Sequence, residues 1–330
     1  MNPIVVASAL LSALAFVMYF KDILRKHDKR GLVPLVLSVV VGAAVIWLLN
    51  ETGNETTIFF ALNFAVLFAM MPFYYAMRTR KLLAILVLIG VEFFYATYAY
   101  GSLLFPFIQM LAIGTAFGVY HKSATIFGET EKRESRKVET RRDIIHIALG
   151  AIIFALFLML PFYYAVYAVT VLIILGYLYN SVSGRHKNGK LYAVLSRFER
   201  SGALYGLGAL YLGIGVALIL GFVHTLHFAL IGLAAVLFAD PIATIVGINI
   251  AGPKLPYNKK KSVYGTLAFF LTATILGFPF VGYYSVFFGV GLAVVESLSI
   301  PIDDNILIAV VMIVLYIIYL SYLGMLPAYL

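Results

Sequence analysis

Of fifteen carboxylates in the chain, only Glu92, Asp240 and Glu296 fall inside long apolar stretches. An ionisable group is costly in such a setting, so a functional reading comes first. Asp240 precedes Pro241, and Ala243 and Gly247 follow at three and seven residues. Proline removes a backbone donor and disfavours helical geometry just before it, so the pattern predicts a broken helix with one bare face, suited to an ion or a phosphate. The same residues also read as a simple kink with an aspartate capping the second half-helix. Further on, Gly252-Pro253-Lys254 and Asn258-Lys259-Lys260-Lys261-Ser262 lead into Gly265-Thr266. Lysines beside backbone donors at a helix start make an anion site, although lysines at a membrane boundary also serve topology by themselves. Glu296, Asp303, Asp304 and Asn305 supply oxygen ligands of the kind magnesium prefers, with Asp303 equally fit to cap the last helix. Arg142, His146 and Gly150 share one helix face, and Arg197, Glu199 and Arg200 precede Gly202. Each group reads either as a phosphate holder or as arginine at headgroup level beside satisfied neighbours. Glu92 has no polar constellation around it and reads as a hydrogen-bonding partner of a nearby tyrosine.

The elements that position these residues follow from composition. The 330 residues are 63% hydrophobic and 12% charged, whereas a water-soluble domain carries about a quarter charged residues. One membrane-spanning helix uses roughly 20 apolar residues, so twelve would take about 240 and leave no room for a large soluble domain. The fold class expected is an all-α polytopic integral membrane protein of about twelve transmembrane helices. Absence of cysteine excludes disulfides, thiolate metal sites and cysteine nucleophiles. No lysine or arginine precedes Lys21, so residues 2–20 read as a retained span and not as a cleaved signal.

All 24 lysines and arginines fall in residues 21–30, 78–81, 122–142, 185–200 and 254–261, in numbers 5, 3, 7, 5 and 4. The turns between carry none, so every basic residue belongs to one face, which the positive-inside rule makes cytoplasmic. The net charge of +9 then encodes orientation, and no nucleic-acid partner is needed to explain it. Expected spans are 2–20, 32–49, 58–77, 82–100, 103–120, 144–161, 163–180, 201–222, 227–250, 263–280, 284–300 and 306–326, with both termini outside. Gly277, Pro279 and Gly282 supply the break between the tenth and eleventh. Three blocks result: a five-helix membrane block over 1–120, a charged cytoplasmic linker or surface helix over 121–143, and a seven-helix catalytic domain over 144–330. Asn50-Glu51-Thr52 and Asn54-Glu55-Thr56 are glycosylation sequons in an outward loop.

The ordered motifs Arg-x-x-x-His, Arg-Phe-Glu-Arg-x-Gly, Asp-x-x-Ala-x-x-x-Gly, Lys-Ser-x-x-Gly-Thr and Glu-x(6)-Asp-Asp-Asn run over about residues 141–326. This set resembles the dolichol kinase and phytol kinase family of CTP-dependent lipid kinases. The resemblance implies a cytoplasm-facing site that transfers the γ-phosphate of CTP, with magnesium, to the hydroxyl of a polyprenol or dolichol-like membrane alcohol. It implies catalytic roles for Asp240, Lys260, Lys261 and Asp304, with Asp240 or Asp304 as base for the lipid hydroxyl. Magnesium would fall to Asp240, Glu296, Asp303 and Asp304. Nucleotide contacts would come from Arg142, His146, Arg197, Arg200, Gly247, Lys254, Lys259, Ser262, Gly265, Thr266 and Asn305. The chain departs from the family pattern at Ala239, Ile248, Ser262 and Tyr264. Residue chemistry agrees, since phosphoryl transfer is mostly charge neutralisation and alignment. Two other readings use the same residues: a cytidylyltransferase that makes a CDP-lipid, and a secondary transporter in which Asp240 and Glu296 bind ions.

Overall fold

A computed structural model describes part of residues 104–116, residues 136–183, and residues 207–322 apart from 251, 299 and 301. The chain divides into two compact units, Met1–Thr130 and Glu131–Leu330. In the first, the described residues between 104 and 116 are helical, and the Thr115 hydroxyl donates to the Leu111 carbonyl at 2.6 Å. The other four expected N-terminal spans, Glu92, the linker over 121–135, and Arg197 and Arg200 lie outside the described residues.

The second unit is helical throughout its described elements. These are α1 (Arg136–Met159), α2 (Phe162–Ser183), α3 (Leu207–Phe222), α4 (Leu226–Ala234), a π segment (Ala235–Ala239), α5 (Asp240–Asn249), α6 (Val263–Val281), α7 (Tyr284–Ser297) and α8 (Asp304–Tyr322). A helix is present at each of the seven spans expected beyond residue 143. Among the described residues, Glu139–Met159, Leu226–Asn249, Val263–Val281 and Asp304–Tyr322 are long and apolar enough to cross a membrane, while α2, α3 and α7 contain shorter apolar stretches. Their surfaces match that composition. Tyr264, Leu267, Leu271, Ile275 and Phe278 recur every three or four residues along α6 and are exposed, as are Val310, Val314 and Ile318 on α8. An outward apolar stripe of this kind is compatible with an integral membrane protein, because hydrocarbon accepts it and water does not.

Leu226–Asn249 differs from the other three long helices. Within its 18-residue apolar stretch 67% is buried, against 22%, 22% and 28% for the corresponding stretches of Glu139–Met159, Val263–Val281 and Asp304–Tyr322. It is the central post, and α1, α3, α6 and α8 pack around it. The break expected at Asp240-Pro241 is not made. Ala234, Ala239 and Asp240 all keep right-handed helical geometry (φ −61°, −68° and −62°), and the Asp240 N–H reaches the Ala235 carbonyl five residues back. Proline clashes with the carbonyl four residues before it and cannot donate to it, and a widened turn relieves both problems without breaking the helix. That carbonyl, on Leu237, lies against Gly150 of α1, where a Cβ would stand 3.1 Å from the Leu237 oxygen and 2.8 Å from its Cβ.

Two other boundaries differ from expectation. The linker assigned to 121–143 ends earlier, because α1 already begins at Arg136. Residues 136–143 contain neither proline nor glycine, so the charged run extends the apolar helix by two turns. Between α6 and α7 the reversal is made at Gly282, whose φ is +57°. Pro279 stays inside α6, and Gly277 serves as a close-packing position, where a Cβ would stand 3.2 Å from Ile231 and Ser285 side-chain atoms.

Gly215 of α3 faces the Asn305 carbonyl at the start of α8, which a Cβ would approach to 2.7 Å, whereas nothing lies within 4 Å of a Cβ at Gly208. Gly215→Ala should therefore cost about 1–3 kcal/mol through overpacking against backbone. Gly208→Ala on the same helix should be neutral or gain about 0.5–1 kcal/mol. Thermal unfolding of the two variants in detergent checks this, and equal melting temperatures would show that α3 and α8 do not meet at Gly215.

Candidate functional site

The connection between α5 and α6 is a folded loop. Lys254 and Ser262 form an isolated antiparallel bridge, the Leu255 N–H donates to the Lys261 carbonyl at 3.1 Å, and the Val263 N–H donates to the Pro253 carbonyl at 3.0 Å. At the tip, the Lys261 N–H donates to the Asn258 carbonyl at 3.1 Å, and the Lys260 N–H donates to the Asn258 side-chain oxygen at 3.1 Å. Two side chains fasten the loop to the end of α7. The Asn258 amide donates to the Ser297 carbonyl at 2.9 Å, and the Tyr257 and Ser297 hydroxyls are 2.7 Å apart.

This seating turns Lys261 inward. Its ammonium donates to Glu296 Oε1 at 2.5 Å and to Asp304 Oδ2 at 2.9 Å. Burial acts to discharge the amine, but the carboxylates of Asp304, Glu296 and Asp240 outweigh it and raise its pKa above the ordinary 10.5. Asp240 lies within the electrostatic reach of Asp304, Lys261, Glu296 and Asp303. The four carboxylates expected to bind magnesium thus share one region, and a lysine stands among them. Within the cluster Glu296 is buried, whereas Lys261 and Asp304 are partly exposed. Asp240 is nine residues from the end of α5, about 14 Å along the axis, and Asn305 meets α3 at Gly215, about 12 Å from its start.

The cation that bridges Glu296 and Asp304 in this structure is the Lys261 ammonium. Among the described residues no three His, Cys, Asp or Glu side chains are spaced to hold a metal ion on their own. Unmet acceptor capacity nonetheless remains. Glu296 Oε2 and Asn305 Oδ1 are buried without hydrogen-bond partners, an arrangement that calls for a donor or a cation. Asp303 acts as the cap anticipated for α8, accepting from the Asn305 N–H at 3.0 Å and from its side-chain amide at 2.9 Å.

Several nucleotide candidates have structural duties. The Ser262 hydroxyl caps α6 by accepting the Gly265 N–H at 3.1 Å, and the Thr266 N–H goes to the Ser262 carbonyl at 3.0 Å. With the Val263 N–H also bonded, the first turn of α6 is no open anion cradle. Nor is the Ala243 and Gly247 face bare. A Cβ at Gly265 would come 2.9 Å from the Ala243 carbonyl, and one at Gly247 would come 3.1 Å from the Ser262 hydroxyl, so α6 begins directly on that face. Lys254, Lys259 and Lys260 stay exposed on the loop, and the Lys254 ammonium reaches the Lys260 carbonyl at 3.4 Å. On α1, Arg142 pairs with Asp143 at 3.3 Å, while His146 Nε2 is buried without a hydrogen-bond partner one turn before Gly150. Thr266 Oγ1 is likewise buried and unpartnered.

Sequence reasoning missed Tyr257, Asn258 and Ser297 as site residues. An asparagine two residues before a lysine in a proline-bearing loop is a turn signal, but its partner lies 39 residues away on another helix.

No family model matches the chain, and no solved structure matches it. A stretch of 103 residues is 36% identical to an uncharacterized protein of Methanocaldococcus jannaschii, covering 31% of this chain and 53% of that protein. The chain thus spans about half the length of the relative it matches.

Removal of the ammonium leaves Glu296, only 3% exposed, as a buried unpaired carboxylate. Breaking a fully buried pair costs roughly 3–5 kcal/mol, and the loss for Lys261→Met should be smaller because Lys261 and Asp304 are 24% and 38% exposed. Adding Glu296→Gln should recover part of it. A pKa raised on folding gives stability that is complete below about 10.5 and is lost as pH rises through the folded value. Wild-type melting temperature should therefore show no lysine-dependent fall from neutral pH to 10. An unchanged melting temperature for Lys261→Met at pH 7 would remove the ion pair from the account.

Proposed function

We propose that the protein is a membrane-embedded phosphotransferase that moves the γ-phosphate of a nucleoside triphosphate to the hydroxyl of a lipid alcohol. The motif resemblance refines the donor to CTP and the acceptor to a polyprenol of the dolichol type. One observation carries the reading: Lys261 bonds Glu296 and Asp304, with Asp240 and Asp303 in the same electrostatic neighbourhood, beside a loop that exposes Lys254, Lys259 and Lys260. Carboxylates inside an apolar bundle beside free cations suit a reaction between a polyanion and a greasy alcohol.

In this reading the exposed lysines bind the triphosphate at the loop, and Lys261 keeps the carboxylates from repelling it. Asp240 or Asp304 accepts the proton of the lipid hydroxyl as its oxygen bonds to the γ-phosphorus, and CDP departs with the electrons of the broken phosphorus–oxygen bond. Glu296 and Asp304 each give one oxygen to Lys261, so magnesium would be held by Asp240 and the second oxygen of Asp304 together with the nucleotide's own phosphate oxygens. Magnesium is ordinarily bound in this way, by one or two carboxylates plus phosphates. Bound there, it would offset the triphosphate charge. Apolar walls between the helices of the second unit would take the prenyl tail.

The wider architecture belongs to the same proposal. It has twelve spans, the basic loops and the carboxylate cluster on the cytoplasmic side, both termini outside, and a five-helix N-terminal block ahead of the catalytic seven.

Purified protein incubated with γ-labelled CTP, magnesium and a mixture of polyprenols and diacylglycerol should place label in the extracted lipid. Asp240→Ala should reduce transfer by more than about 100-fold while the melting temperature holds, as expected when a group acting in the transition state is removed. CDP-lipid formed from α-labelled CTP would make the protein a cytidylyltransferase. Failure of both labels with folded protein, together with nucleotide-independent flux in liposomes, would make it a transporter.

A further inference from the structure

Three consecutive lysines end the α5–α6 loop, and they do not behave alike. Lys259 and Lys260 are exposed, whereas Lys261 is turned inward onto Glu296 and Asp304. Their ammonium groups are chemically equivalent, so backbone geometry must sort them. The residue placed to do so is Asn258, which is 4% exposed although Pro256, Tyr257, Lys259 and Lys260 around it are exposed. Burying an amide is unfavourable unless its polar atoms are bonded, and here the loop meets that condition. Nδ2 donates to the Ser297 carbonyl at 2.9 Å, Oδ1 accepts the Lys260 N–H at 3.1 Å, and the backbone carbonyl accepts the Lys261 N–H at 3.1 Å. The Oδ1 bond makes an Asx turn, which reverses the chain over Lys259 and Lys260. The Nδ2 bond lands on a carbonyl of the last turn of α7, one of those a helix leaves without an internal partner. That carbonyl belongs to the residue after Glu296, so the bond that seats the loop lies one residue from the carboxylate that receives Lys261.

We infer that Asn258 is the positioning residue that divides the lysine triplet, directing Lys259 and Lys260 toward an anionic ligand and Lys261 onto the carboxylate cluster. It acts through Lys261 and touches no substrate. The inference rests on the cluster being the reactive site, but its structural content is testable without any activity.

Trace labelling of amines, read by mass spectrometry on the full-length protein in detergent, measures the three lysines side by side. In the wild type, Lys261 should be protected relative to Lys259 and Lys260. Loss of one ordinary hydrogen bond shifts an open–closed balance by about tenfold, so Asn258→Ala and Asn258→Asp should raise Lys261 labelling by about that factor and leave its neighbours unchanged. Ser297→Ala retains the backbone carbonyl and removes only the hydroxyl facing Tyr257, so it should preserve the protection. Unchanged protection in Asn258→Ala, or equal exposure in Ser297→Ala, would overturn the assignment. If neither Asn258 variant folds, hydrogen exchange on the wild type decides. Slow exchange at the Lys260 and Lys261 amides supports the turn, and exchange at open-loop rates overturns it. In the transfer assay, Asn258→Ala should raise KM for the nucleotide and leave KM for the alcohol unchanged, a split that general loss of folded protein, which lowers only the apparent kcat, would not produce. Should no transfer occur with any nucleotide, the labelling result still stands or falls by itself.

Discussion

One charged contact organises this end of the molecule. Lys261 places its ammonium 2.5 Å from Glu296 and 2.9 Å from Asp304, joining a loop, the end of α7 and the start of α8. A carboxylate as buried as that of Glu296 is costly without a cation, and a partly buried lysine is costly without an anion, so each justifies the position of the other. Geometry elsewhere serves this contact. The loop must fold back for Lys261 to face inward, α7 must end where Ser297 can receive Asn258, and α8 must begin where Asp304 reaches the same nitrogen.

Crowding at that end depends on residues without side chains. Gly247 and Gly265 bring α5 and α6 together, Gly215 admits the first turn of α8, and Gly150 accepts the carbonyl of Leu237. A Cβ at Gly150, Gly215 or Gly265 would come within 3 Å of a neighbouring helix. Close packing of this kind lets helices approach in a medium that supplies no hydrophobic drive between them. The π segment has a related role. It keeps the central helix continuous through Pro241, so Asp240 remains on a buried, rigid post and not at a frayed end.

The same cluster explains why cation chemistry in this protein has two parts. Lys261 is a fixed internal counter-charge, held cationic by Asp304, Glu296 and Asp240. Lys254, Lys259 and Lys260 remain on the surface and are free to meet a ligand's charge. A proposed site for a triphosphate therefore has a floor in which one lysine offsets part of the carboxylate charge and an exposed rim of three more lysines. This arrangement limits repulsion between carboxylates and phosphates without asking the metal alone to cancel it.

Helical spacing, apolar runs of span length and the clustering of basic residues are local properties, so the presence of a helix at each of the seven spans after residue 143 was legible in the sequence, although the first begins two turns earlier than expected. Asp240, Lys261, Glu296 and Asp304 stood out as candidates too, because ionisable groups beside apolar runs are rare and costly wherever the chain goes. What one side chain does to another depends on distances between elements far apart in sequence. Pro241 reads as a break until neighbouring helices make a π turn the better solution. Ser262, Gly247 and Gly265 read as ligand contacts until α6 is seen to start on α5. Asn258 carries no signal of its role until Ser297, 39 residues away, comes within 2.9 Å. Composition and periodicity determined the helices and the inventory of charge; only tertiary packing decided which charges pair, because a pair energy is set by separation in space and by burial, and neither is a property of one segment.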